Sequence, residues 1–108
     1  MVDFQEIKDK VKEVRFDALR LDEGNILEVV VVKENLAKLI ERLESFFGIP
    51  VFPSKNKLSA KVSQIIGDFG GIMPGQTLYY SDGGESIIFA MLWPWQDGIH
   101  ATLKIIRR

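Results

Sequence analysis

Apolar residues in this chain recur at two spacings, and the change from one to the other marks out its elements. Phe4, Ile7, Val11 and Val14 stand at steps of three, four and three, which predicts a short N-terminal helix with Asp3 as its cap. From Arg15 to Asp22 the pattern turns to alternation. Val14, Phe16 and Ala18 share one parity before Leu19 and Leu21 take the other, a slip that marks a β-bulge. Asp22 to Asn25 supplies a turn around Gly24, and Ile26 to Val32 returns as a β-branched strand. Glu34 to Phe47 then carries Leu36, Leu39, Ile40, Leu43, Phe46 and Phe47 on one helical stripe. Gly48 suits a left-handed stop and Pro50 bars continuation. After a loop to Lys57, a second helix is expected with Asn56 or Ser59 as cap and Leu58, Val62, Ile65, Ile66 and Phe69 as its buried face. Gly67 weakens that helix by roughly 1 kcal/mol relative to alanine, and Gly70-Gly71 ends it.

The last third reads as a three-stranded meander. Strands are expected over Gln76–Ser81, Glu85–Trp93 and Ile99–Ile106, with turns at Ser81-Asp82-Gly83-Gly84 and Asp97-Gly98. The middle strand is apolar on both sides: Ile87, Phe89, Met91 and Trp93 on one, Ile88, Ala90 and Leu92 on the other. The final strand sets Ala101, Leu103 and Ile105 against His100, Thr102 and Lys104. A polar face carrying a lysine suits an edge strand.

Residues 1–108 therefore read as one α+β domain. The expected architecture is a two-layer sandwich, a five-stranded mostly antiparallel sheet with helices on one face. In element order it resembles the roadblock and longin (profilin-like) domains, small dimerising scaffolds, in topology alone, with no motif and no residue carried over. One helical layer covers one sheet face. The other, with Ile88 and Leu92, is expected to be buried in a homodimer.

Composition narrows the functional classes. The chain has no cysteine, which removes disulfides, thiolate metal sites and cysteine nucleophiles. Its first fifteen residues are densely charged, and no run approaches the ~20 apolar residues of a membrane span. A cytoplasmic location without membrane contact is the expectation. Acid exceeds base in residues 1–47 and base exceeds acid afterwards. Lys55, Lys57, Lys61, Arg107 and Arg108 form no basic stripe of the kind nucleic acid requires.

Four segments invite a chemical reading. Gly67-Asp68-Phe69-Gly70-Gly71 has the letters of a kinase metal-binding motif, but a kinase needs far more chain than this, and the glycines read as helix caps. Ser81 to Ser86 offers two carboxylates where calcium wants six to eight oxygens, so it reads as a turn. His100 is the sole histidine. With Asp97 it could form an acid–base pair, but no complete catalytic constellation accompanies it, and no metal or cofactor is expected. Trp93-Pro94-Trp95 is the most suggestive segment, with Trp93 as core and Trp95 as either a lid on the sheet or an exposed anchor. The leading expectation is a homodimeric interaction or scaffold module. The alternative is a small apolar-ligand binder walled by Phe89, Met91, Trp93 and Trp95, with Asp97 and His100 as polar contacts. A small enzyme using Asp97 and His100 ranks last.

Overall fold

The computed structural model of the chain describes residues 4–53, 58–73, 75–82 and 86–108. Three helices and five strands follow in the order α1 (Phe4–Lys12), β1 (Ala18–Glu23), β2 (Ile26–Val32), α2 (Lys33–Phe47), α3 (Ala60–Gly67), β3 (Thr77–Asp82), β4 (Ile87–Pro94) and β5 (His100–Arg107). The proposed caps Asp3 and Asn56, and the tip of the turn at residues 83–85, lie outside the described residues. Ser59 caps α3, its hydroxyl accepting from the Val62 amide at 3.2 Å. α2 ends at Gly48, whose φ of +82° is one that side-chain-bearing residues rarely adopt.

All strand pairs are antiparallel, and the sheet order is β1-β2-β5-β4-β3. This corrects the edge assignment of the last strand: β5 lies in the middle, between β2 and β4. Its polar residues are answered inside the sheet. The Lys104 ammonium stands 3.7 Å from Glu28 of β2, and Thr102 is 2% exposed. The bulge in β1 falls between Leu19 and Leu21, leaving Arg20 as the extra residue.

Alternation sorts the sheet into two faces, each with its own core. Leu27, Val29, Leu103, Ile105, Ile88 and Ala90 pack with Phe4, Ile7, Val11, Leu39 and Leu43, so α1 and α2 share one face as expected. α3 takes the opposite face. Its Ile65 and Ile66 pack on Leu78, Phe89, Met91 and Ile106, joined by Val51, Phe52 and Ile72 from the flanking loops. The physical cause is the second apolar row of β4, which an eight-residue helix with a narrow stripe can cover. Phe69, past the helix end, adds an edge-to-face contact on Phe89 at 5.4 Å while staying 38% exposed.

α1 is fastened to the hairpin electrostatically. The Lys8 ammonium, on a side chain only 7% exposed, pairs with Asp22 at 2.6 Å and donates to the Glu23 carbonyl at 2.9 Å. Lys12 reaches the same carboxylate at 2.5 Å. Hydrogen bonds from Lys12 and then Lys8 hold the Asp22 carboxyl below the usual carboxylate range.

Candidate functional site

The residues singled out in the sequence separate into three groups. Ile88 and Leu92 lie on the face beneath α1 and α2, 1% and 6% exposed, inside the chain's own core. This corrects their assignment to a surface between subunits: no partner reaches them without displacing those helices. Phe89 and Met91 are also core, and Ile65 and Ile66 fill the space expected for an apolar pocket. Trp93 stands at the rim of that second core. It borders a shallow concavity of about 290 Å³ with Met73, Gly75, Gln76 and Pro94.

Trp95, Asp97 and His100 come together at the turn between β4 and β5. The turn is built from its backbone outward. The Trp95 amide donates to the His100 carbonyl at 2.8 Å, and Gly98 adopts φ +70°. Asp97 Oδ1 accepts from the amides of Ile99 (2.9 Å) and His100 (3.0 Å), an Asx turn that locks the carboxylate in place. Asp97 Oδ2 lies 2.6 Å from His100 Nδ1. The Ile99 amide first, then the His100 side chain and amide, lower the Asp97 carboxyl to about 2.

Trp95 folds back over the sheet, half-buried. Its indole N–H donates to the Thr102 hydroxyl at 2.7 Å, and its ring lies against His100 with centroids 4.8 Å apart. The Arg20 guanidinium sits 5.3 Å from the same indole, in cation–π range. Arg20 also stands 3.7 Å from Glu28. The bulge thus aims a cation across the open half of the face that α3 leaves uncovered. Asp17, just before β1, places a carboxylate oxygen 3.6 Å from His100 Nε2.

The sequence reading missed Arg20, Asp17, Thr102 and Ile99. Only Ile99 had a local signal: an aspartate bonded to the amides two and three residues ahead pushes the intervening residue out of the strand. Ile99 is 56% exposed. With Lys33, Leu36, Pro94 and Ala101 it lines an apolar groove of about 160 Å³. Chemically, the site offers an imidazole oriented by one carboxylate and faced by a second. The Thr102 hydroxyl is already engaged by Trp95. Among the described residues no group of three or more His, Asp or Glu is placed to hold a metal ion, and no helix is long and apolar enough to cross a membrane. No protein-family model, no curated protein and no solved structure matches this chain.

Proposed function

We propose that the chain is a small interaction module that associates, with a second copy of itself in the first instance, through the end of the sheet where Ile99 and Trp95 stand. One observation carries this reading. Ile99 is 56% exposed on a turn over-determined by hydrogen bonds and forms part of the wall of an apolar groove. A large apolar side chain held rigidly in water loses little entropy when a partner covers it. A two-fold pairing would set the apolar patch formed by Ile99 and its groove on each copy against the same patch of the other, as isologous dimers require. Trp95 and its neighbour Arg20, at the same end of the sheet, belong to the residue types that dominate binding energy at interfaces.

The test is the native mass of the wild type and of Ile99→Asn, by sedimentation velocity and light scattering. The expected result is a dimeric wild type and a folded, monomeric variant, since residue 99 contributes little to the core. A wild type that stays monomeric at every concentration removes self-association. An apolar-ligand role draws on the concavity beside Trp93. It predicts a change in tryptophan fluorescence with an apolar probe that Trp93→Phe abolishes.

A further inference from the structure

The His100 imidazole stands between carboxylates from two separate segments, Asp97 in the β4–β5 turn and Asp17 ahead of β1. A neutral imidazole has one N–H and one lone pair. If the proton is on Nδ1 and bonded to Asp97, the Nε2 lone pair faces the Asp17 carboxylate, and the two repel. If the proton is on Nε2, the lone pair faces Asp97 at 2.6 Å, which is worse. Only the imidazolium offers an N–H to both sides. The two carboxylates differ in how firmly they are held. Two backbone amides fix Asp97, and its carboxyl, lowered to about 2, stays charged across the range in which imidazoles ordinarily titrate. Asp17 is 54% exposed, and among the described residues no other side-chain contact ties its carboxylate down. Three further charged groups belong to the elements around the site. Arg20 lies over Trp95, Lys33 lines the groove that His100 also lines, and Glu34 follows Lys33 at the start of α2.

We propose that His100 is a proton-operated clasp: as imidazolium it ties residues 15–17 to the β4–β5 turn, and on losing its proton it releases them. Arg15, Phe16 and Asp17 wall a groove with Val32, Glu34 and Asn35, beside the end of the sheet that carries Ile99. The clasp therefore regulates the surface proposed above for association. It rests on that reading for its purpose and not for its chemistry.

The test uses the Asp17 amide, which donates to the Val30 carbonyl at 2.7 Å. Its hydrogen-exchange protection, corrected for intrinsic rate, is measured by NMR at one pH where the His100 ring nitrogen signals are those of the imidazolium and at another where they are those of the neutral ring. Because His100 is the sole histidine, its ring nitrogen signals report its protonation unambiguously in the same samples. Protection should fall by about two- to five-fold as the ring loses its proton, the size expected of one exposed ion pair. Asp17→Asn and His100→Gln should each abolish that fall while leaving the rest of the spectrum folded. A wild type with no fall, or variants with the same fall, overturns the clasp. Repeating the measurement on Ile99→Asn separates the two proposals, because a clasp that persists in the monomer stands without association. A dimer whose Asp17 amide ignores pH rejects the clasp alone.

Discussion

Asp97 ties the stability of the β4–β5 turn to pH in the acid range. Its carboxyl falls from 3.8 to about 2 on folding, so the unfolded chain binds its proton more readily than the folded one. Its stabilising effect is fully present above pH 3.8 and is lost as pH falls through about 2. Melting temperatures of wild type and Asp97→Asn should therefore diverge above pH 4 and converge towards pH 2, with the variant the flatter of the two. The same residue shows what a sequence discloses at this scale. Asp97-Gly98 was legible as a turn because both residues favour turn geometry locally. That the turn would expose Ile99, and bring Asp17 from eighty residues earlier to the same imidazole, was not. Contacts of that kind depend on where β1 and β5 lie in the sheet, which no local pattern records.

At the scale of elements, α3 is the weak member and the adjustable one. It has eight residues, one side-chain cap and a glycine in its last turn. Removing the cap with Ser59→Ala should cost about 1 kcal/mol. Gly67 has no positive φ, and a Cβ there meets nothing within 4 Å. Gly67→Ala should therefore stabilise by about 0.5–1 kcal/mol. Urea denaturation of the two variants checks both signs. Helix periodicity located α2 to within a residue of its start and offered Ser59, alongside Asn56, as the cap of α3, because each stripe is a local repeat. Periodicity says that a stripe is buried and is silent on what buries it. That is why α3 was expected beside α2 and lies on the other face.

For the molecule as a whole, the doubly apolar β4 no longer calls for a partner. Helices from the same chain cover its two rows, α1 and α2 on one side and α3 on the other. Leu92→Asp, which puts a carboxylate into a core position 6% exposed, should thus unfold the protein rather than dissociate it. Circular dichroism alongside native mass distinguishes the outcomes: a folded Leu92→Asp monomer would return that residue to the interface. The α+β class was readable because strand and helix patterns alternate in blocks along the chain. The sheet order was not, since it rests on β5 pairing with β2 across the intervening helices. That pairing also governs how the molecule assembles in time. β1–β2 and β3–β4 are hairpins that can zip locally, yet they share no hydrogen bond until β5 enters between them. On the ribosome β5 is the last of the five strands to emerge, so the complete sheet forms only after it has been made.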